Sequence, residues 1–232
     1  MPGVKQLSSK SPKKAAKKET VPKFTYKQDE WLIDQLEIGL ERKQRPPRAG
    51  VFYPSALGNL CDRYLYYSYN GLLVGETIPG KLRRIFDNGD FLGNRYESYF
   101  SKLGILVSTE QPLKVNTPSI SGRIDFVILH PDAGHLVIEL KSINDKGFKA
   151  LKYAPKPEHL IQIQLYLNIG GYEDGVLLYE NKNTQEVKAF KVAKSEETMA
   201  EILERCFAVM AMTQAPEKCT GEYYCQCRNI GG

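Results

Sequence analysis

Apolar and polar residues alternate along two neighbouring stretches in the middle of the chain, 122–129 and 135–141. A period of two is typical of half-buried β-strands, because successive side chains point to opposite faces of a sheet. The intervening residues 130–134, His-Pro-Asp-Ala-Gly, are rich in turn formers, so we predict that the two strands form a hairpin. The residues expected to face the core are Ile124, Phe126, Ile128, Leu136, Ile138 and Leu140.

The remaining periodicity predicts an α/β fold. Trp31 is expected to anchor the first helix in the core, and Cys206 to be packed on the core side of the last helix. Two short strands, 175–180 and 186–192, predict a second hairpin that extends the sheet, giving a mixed sheet of about five strands flanked by helices. The helices predicted from apolar residues at helical spacing are 26–45, 81–103, 157–170 and 196–214.

Two carboxylates and a lysine lie on the first predicted hairpin. Pairing its strands brings Asp125 near Glu139, and Glu139 and Lys141, two residues apart, share one face. Carboxylates supply the hard oxygen ligands that Mg²⁺ or Mn²⁺ prefers, and a lysine can lower the pKa of an attacking water or hold a phosphate. We therefore predict a metal-dependent site for phosphodiester hydrolysis, with the carbonyl of Leu140 as a further metal ligand.

Helical residues are expected to complete this site. Gln162 and Tyr166 are one turn apart on the predicted helix 157–170 and can orient water and a nucleic-acid strand. A third carboxylate is expected from the helix 81–103, where Glu97 is the first candidate metal ligand and Asp90 the second. The alternative is that Glu97 is a surface charge paired with a nearby arginine.

The order of these motifs resembles the PD-(D/E)XK nuclease superfamily, and the Gln-x-x-x-Tyr helix after the Glu-x-Lys strand resembles its RecB-type exonuclease branch. The resemblance covers roughly 55–227. It implies a restriction-endonuclease-like core and a DNA nuclease acting on single strands or free ends, with recombination, replication or CRISPR adaptation proteins as partners. RecB-like enzymes often carry histidine where this chain has Glu97, and other branches of the superfamily use a carboxylate.

Four of the five cysteines form a second candidate site. Cys61 precedes the catalytic motifs, and Cys219, Cys225 and Cys227 crowd the polar C-terminal segment. The amino-terminal residues are lysine-rich and lack an apolar run, so we expect an intracellular protein in which disulfides do not form. The cysteines are then either metal ligands or buried thiols, and a dense polar tail is a poor place to bury thiols.

This arrangement resembles the iron-sulfur RecB-like nucleases, including the CRISPR adaptation nuclease and the AddB-type nucleases. In them a lone early cysteine and three late ones hold a [4Fe-4S] cluster, which implies Cys61, Cys219, Cys225 and Cys227 as ligands here. The late spacing is five then one residues, whereas the family usually shows two then five. Four thiolates also suit Zn²⁺ in a tetrahedral site, and that alternative stays open.

The positive charge is concentrated at the amino-terminal end of the chain. The first 23 residues hold seven lysines and one glutamate, a local charge of +6, so the other 209 residues carry about −1. We expect 1–23 to be a disordered basic tail and 24–232 to be one nuclease domain, with helices in 26–70, a catalytic core in 81–192 and a cysteine-rich end in 196–232. The tail either attracts phosphates weakly or serves solubility and targeting.

The sequence contains no apolar run long enough to span a membrane, and no Walker loop or helicase motif. We expect the protein in the cytoplasm of a bacterial, archaeal or phage-infected cell, with the nucleus as an alternative because two lysine pairs loosely resemble a localisation signal. Two other functions stay open. One is a single-strand or structure-specific endonuclease, and the other is a DNA-binding assembly factor without catalytic activity.

Overall fold

The computed structural model describes residues 27–219, except residues 44, 74 and 76, together with Cys227 and Ile230. The predictions for the lysine-rich segment and for Cys225 therefore lie outside the described residues. The helices are Glu30–Ile38 (α1), Pro54–Leu57 (α2), Asp62–Tyr69 (α3), Gly80–Lys102 (α4), Asp145–Ala150 (α5), Pro157–Gly170 (α6) and Glu196–Ala211 (α7). The strands are Arg42–Lys43 (β1), Thr77–Ile78 (β2), Leu106–Asn116 (β3), Ser119–His130 (β4), Gly134–Ile143 (β5), Asp174–Asn181 (β6) and Val187–Ala193 (β7).

A mixed five-stranded sheet organises the chain, as predicted, and its strand order is β3-β4-β5-β6-β7. Both predicted hairpins are confirmed, because β4 pairs antiparallel with β5, and β6 with β7. Strands β5 and β6 run parallel, and α5 and α6 lie in the crossover between them. Strand β3, which the sequence did not single out, lies at one edge of the sheet, where Pro112 is tolerated.

Helices cover the sheet on both faces. Helix α4 packs on one face, and α6, capped at its carboxyl end by Gly171 in the left-handed conformation, packs on the other. Helices α2, α3 and α7 add a second core beside α6 that includes the fully buried Cys206, as predicted, and burial raises the pKa of its thiol to about 12. The core under α4 is built from Leu92, Tyr96, Phe100, Phe126, Ile128, Leu136 and Ile138.

The alternation in β4 breaks at Asp125. Ile124 belongs to the core under α6, whereas Phe126 belongs to the core under α4, so the prediction that both share a face is wrong. On the neighbouring strand Glu110 falls between the partners of these two residues and has a φ of 53°, in the left-handed region. Such a residue kinks a strand locally, and Glu110 lies opposite Asp125.

The amino-terminal prediction is wrong in two respects. The helix ends at Ile38 and is followed by the short strand β1, because Gly39 closes the last turn. Trp31 is 69% exposed rather than a core anchor. The reason is that α1 contacts α4 through polar groups: Glu37 pairs with Arg84 and accepts the backbone N–H of Lys81 at 2.9 Å.

Within the described part of the chain, no helix is both long enough and apolar enough to cross a membrane. The longest helix, α4, carries charged residues along most of its length.

Helix α6 lies so close to α2 that a side chain at Gly58 would not fit. A Cβ added at Gly58 would overlap the carbonyl oxygen of Glu158 in the first turn of α6. We expect Gly58→Ala to lower the free energy of unfolding by about 1–3 kcal/mol, because backbone atoms cannot move aside as a flexible side chain can. Urea unfolding measures this. The matched control is Gly93→Ala in α4, where an added Cβ meets nothing within 4 Å; equal losses in both variants would contradict the expectation.

Candidate active site

Glu139 is buried in the middle of the sheet, with 2% of its surface exposed. Its Oε1 lies 2.5 Å from the ammonium nitrogen of Lys141, while its Oε2 has no hydrogen-bond partner among the described residues. Burial, reinforced by the negative charge of Asp125, raises the pKa of Glu139 to about 8, although Lys141 opposes this rise. The fold thus places an acidic group where its ionised form is unfavourable unless further positive charge arrives.

Asp125 is held by the backbone of the neighbouring strand. The backbone pairing between β4 and β5 begins where His130 pairs with Gly134 and ends where Phe126 pairs with Ile138. Just beyond this last pair, the backbone N–H of Leu140 donates to Asp125 Oδ2 at 2.9 Å. This bond fixes the Asp125 carboxylate next to the residue that follows Glu139. Burial raises the pKa of Asp125, and the Leu140 N–H and the charge of Lys141 work in the opposite direction.

Helix α6 supplies a second partner of Lys141. The ammonium of Lys141 donates to Gln162 Oε1 at 3.0 Å, and Gln162 Nε2 donates to the Tyr166 hydroxyl at 2.9 Å. Gln162 and Tyr166 are both buried and stand one helical turn apart, the spacing from which their shared face was predicted. A continuous line of contacts therefore joins Glu139 to Tyr166.

A cleft of about 420 Å³ opens between α4 and the sheet. Three of the predicted site residues line it, namely Glu97, Asp125 and Leu140, and so does the second candidate Asp90. Within the described chain Glu97 forms no salt bridge, so the alternative of a surface pair with an arginine has no support. The cleft brings carboxylates from a helix and from a strand to one opening.

The predicted residues thus fall into two connected sets. Glu97, Asp125 and Leu140 line the cleft under α4, whereas Glu139 and Lys141 contact each other and Gln162 of α6. Asp125 joins the sets, because it bonds to the Leu140 backbone and acts electrostatically on Glu139. The structure brings all of them to one part of the sheet, and their catalytic roles stay predictions.

Two further charged residues line the cleft that the sequence did not indicate. Glu110 of β3 forms an ion pair with Arg123 of β4, and both border the opening beside Asp125. The negative charge of Glu110 acts to raise the pKa of Asp125 and of Glu139. The sequence carries no signal for this pair, because the residues of β3 do not alternate clearly and a glutamate does not indicate a left-handed backbone.

The described cysteines of the second candidate site also come together. The Sγ atoms of Cys61, Cys219 and Cys227 all lie within 4.8 Å of one another, and Cys219 and Cys227 are 3.1 Å apart. Cys61 precedes the first turn of α3, and Arg63 in that turn donates to the carbonyl oxygens of Pro216 at 2.6 Å and Ile230 at 3.4 Å. These bonds hold Pro216 and Ile230 against α3.

No family model matches the chain, and no curated protein matches it. Solved structures do resemble it. The crystal structure of SSO0001 has 21% identity and a TM-score of 0.51, covering 80% of this chain and 85% of that one. The alkaline exonuclease LHK-Exo from Laribacter hongkongensis has 16% identity and a TM-score of 0.52, covering 71% of this chain and 88% of that one. The structure of LHK-Exo in complex with dAMP has 17% identity and a TM-score of 0.54, covering 70% of this chain and 87% of that one.

These similarities define the class of fold. The five-stranded mixed sheet with helices on both faces is the restriction-endonuclease-like α/β fold, as the resemblance implied. At identities of 16–21% the solved structures show the fold alone.

The buried glutamate should make the metal-free protein less stable as the pH rises. The pKa of Glu139 in the folded protein, about 8, lies above the ordinary value of 4.5. The stability that the protonated Glu139 contributes is therefore fully present below about pH 4.5 and is lost as the pH rises through about 8. The melting temperature, measured in a chelator between about pH 5 and about pH 9, should therefore fall more steeply for the wild type than for Glu139→Gln. The corresponding loss in the free energy of unfolding should be larger for the wild type by at least about 1 kcal/mol. The exposed control Glu201→Gln should follow the wild type, and parallel curves for all three would contradict the expectation.

Proposed function

We propose that this chain is a divalent-metal-dependent DNA nuclease, and more narrowly an exonuclease acting on single strands or free DNA ends. The observation that carries the proposal is the buried Glu139 Oε2, which has no hydrogen-bond partner among the described residues and lies beside the charges of Asp125 and Lys141. Leaving a buried polar atom unpaired is costly, so a site that retains one is suited to a ligand that completes it.

The donors of this site suit Mg²⁺ or Mn²⁺. Asp125, Glu139 and the carbonyl of Leu140 offer hard oxygen ligands, and Glu97 offers a further carboxylate from α4 at the same cleft. A bound cation would supply Lewis-acid activation of the phosphodiester and of the water that attacks it. Binding would also favour the ionised form of Glu139, whose pKa is otherwise raised by burial.

Three side chains of the site have separate roles in the proposed reaction. Lys141 places its ammonium group next to Glu139 and stabilises the negative charge that develops on the phosphate. Gln162 holds the Lys141 ammonium through its Oε1 and is itself held by Tyr166, so the lysine is positioned before substrate arrives. Burial of Gln162 and Tyr166 keeps this support rigid.

DNA as the substrate and the preference for ends rest on two supports. LHK-Exo, which shares the fold, is an alkaline exonuclease and one of its structures contains dAMP. The Gln162–Tyr166 pair behind the Glu-x-Lys strand is the pattern in which the chain resembles RecB-type exonucleases.

The proposal includes a [4Fe-4S] cluster held by Cys61, Cys219, Cys225 and Cys227. The gathering of the three described thiols supports it, because Cys61 is separated from Cys219 and Cys227 by most of the chain. Arg63, close to Cys61, also bonds to Pro216 and Ile230, which lie on either side of the two late cysteines in the sequence. Such a cluster would tie the carboxyl-terminal segment to α3 and thereby brace the helices next to α6.

Lys141→Ala should abolish cleavage while the protein still folds, because the lysine stabilises charge that appears only in the transition state. The measurement is digestion of end-labelled linear and of circular single-stranded DNA with Mg²⁺ or Mn²⁺. We expect the wild type to degrade linear DNA alone and the variant to be at least about 100-fold slower. The control is Lys149→Ala, an exposed lysine of α5 outside the carboxylate cleft.

The outcomes separate the candidate activities. Cutting of circles by the wild type would identify an endonuclease, because a circle has no end. Full activity of Lys141→Ala would remove this site from the reaction. Binding of DNA without metal-dependent cleavage of either substrate would identify an assembly factor instead of a nuclease.

Replacing Cys225 by serine should release the bound metal. Iron and zinc content and the visible absorption of the purified protein measure this, and we expect iron in the wild type and its loss in Cys225→Ser together with a lower melting temperature. The matched control is Cys206→Ala, which removes a buried thiol outside the cysteine site and should lower stability without removing metal. Zinc in place of iron, or unchanged metal in Cys225→Ser, would contradict the cluster.

A further inference from the structure

Helix α4 carries two glycines in its interior that packing does not explain. Glycine is among the least favourable residues inside a helix, and Gly89 and Gly93 lie one turn apart in the middle of a 23-residue one. A Cβ added at either would meet nothing within 4 Å. Gly80, at the start of the same helix, differs, because there a Cβ would overlap the carbonyl oxygen of Leu36.

Both interior glycines line the cleft that contains Glu97 and Asp125. A glycine inside a helix exposes the backbone and lets another chain approach it closely. Since the described protein leaves the space above Gly89 and Gly93 open, the glycines suit a molecule that comes from outside and lies against α4. We call this surface the glycine face of α4.

The cleft continues past Gly89 into a second opening of about 500 Å³. Gly89, Asp90 and Ser142 line both openings, so the two form one groove. The charge changes along this groove, because the second opening has Asp90 as its one carboxylate among the lining residues and adds two arginines and a lysine. These basic residues are Arg42, Arg83 and Lys182.

Two of the three cations are available to a ligand. Arg83 pairs with Asp87 at 2.8 Å, whereas Arg42 and Lys182 form no salt bridge to any residue that the structure describes. An aromatic side chain accompanies them: Phe86 lines the same opening and is 43% exposed. Cations interleaved with an exposed aromatic ring are typical of surfaces that bind single-stranded nucleic acid.

We infer that a single strand of DNA lies along the glycine face of α4 and runs from the carboxylate cleft over Gly89 into the basic opening. Arg42 and Lys182 contact its phosphates, and Phe86 stacks on a base. This assignment rests on the proposed nuclease function, since it places the scissile phosphate at Asp125. It adds the direction in which the strand leaves the site and the residues that hold it there.

The role of the two glycines is tested by replacing both with glutamine, a residue that favours a helix. The variant Gly89→Gln/Gly93→Gln should melt at or above the wild-type temperature, because glutamine is a better helix former than glycine. Its affinity for a labelled single-stranded oligonucleotide should fall at least about tenfold, because the new side chains occupy the groove. Gly80→Ala is the contrasting variant and should lower the melting temperature.

The basic opening is tested by charge removal. Affinity is measured by fluorescence anisotropy in a chelator, so that no cleavage occurs, across a series of salt concentrations. Arg42→Ala/Lys182→Ala should reduce the slope of log affinity against log salt by about 1.4, since each phosphate contact on a single strand contributes about 0.7. The matched control Lys102→Ala/Lys114→Ala removes two exposed lysines outside both openings and should leave the slope unchanged.

Phe86 has its own pair of variants. Phe86→Leu keeps an apolar side chain and should weaken binding about tenfold, because an aliphatic group cannot stack on a base. Phe86→Tyr retains the ring and should bind as the wild type does. Equal losses in both variants would show that the ring matters only for packing.

The outcomes distinguish this assignment from the nuclease proposal. If the wild type cuts DNA while the glycine and the basic variants bind the oligonucleotide as the wild type does, the path of the strand is wrong and the function stands. If the wild type neither binds nor cuts DNA, both are overturned. A lower melting temperature of Gly89→Gln/Gly93→Gln would show that the glycines serve folding, and would contradict the glycine face as a binding surface.

Discussion

The structure depends on the burial of one carboxylate, that of Glu139, inside the central sheet. A carboxylate withdrawn from water must be neutral, or it must be paired with positive charge. Lys141 supplies part of that charge, and Gln162 and Tyr166 hold Lys141 from the neighbouring helix. One oxygen of Glu139 has no hydrogen-bond partner among the described residues, and the cation that we propose for this site would complete it.

The two faces of the sheet differ around the Glu139 carboxylate, since one is packed and the other is open. On one side α6 buries the Lys141 support in a dense apolar core, which fixes the geometry. On the other side α4 leaves an open cleft, because its interior glycines present no side chains there. Asp125 lies between the two sides, at the point where the alternation of β4 breaks opposite Glu110. Rigid support on one face and access on the other is the arrangement that preorganised catalysis requires.

Much of this could be predicted from local patterns, and the failures have physical causes. The alternation in β4 and β5 was enough to predict the hairpin that brings Asp125 towards Glu139, because side-chain direction in strands follows sequence position. The reversal at Ile124 lies opposite the left-handed backbone of Glu110 in another strand, and local periodicity contains neither feature. Trp31 is exposed because polar contacts hold α1, whereas the pattern registers only apolar spacing.

The most direct test of the account is the number of protons released when Mn²⁺ binds, measured by titration calorimetry in buffers of different ionisation enthalpy. With a folded pKa of about 8, Glu139 is largely neutral at about pH 7, so binding should release most of one proton there and almost none at about pH 9. Glu139→Gln should bind Mn²⁺ more weakly and release no proton at either pH. Equal affinity and equal proton release in wild type and variant would contradict the claim that the buried carboxylate is held for a metal ion.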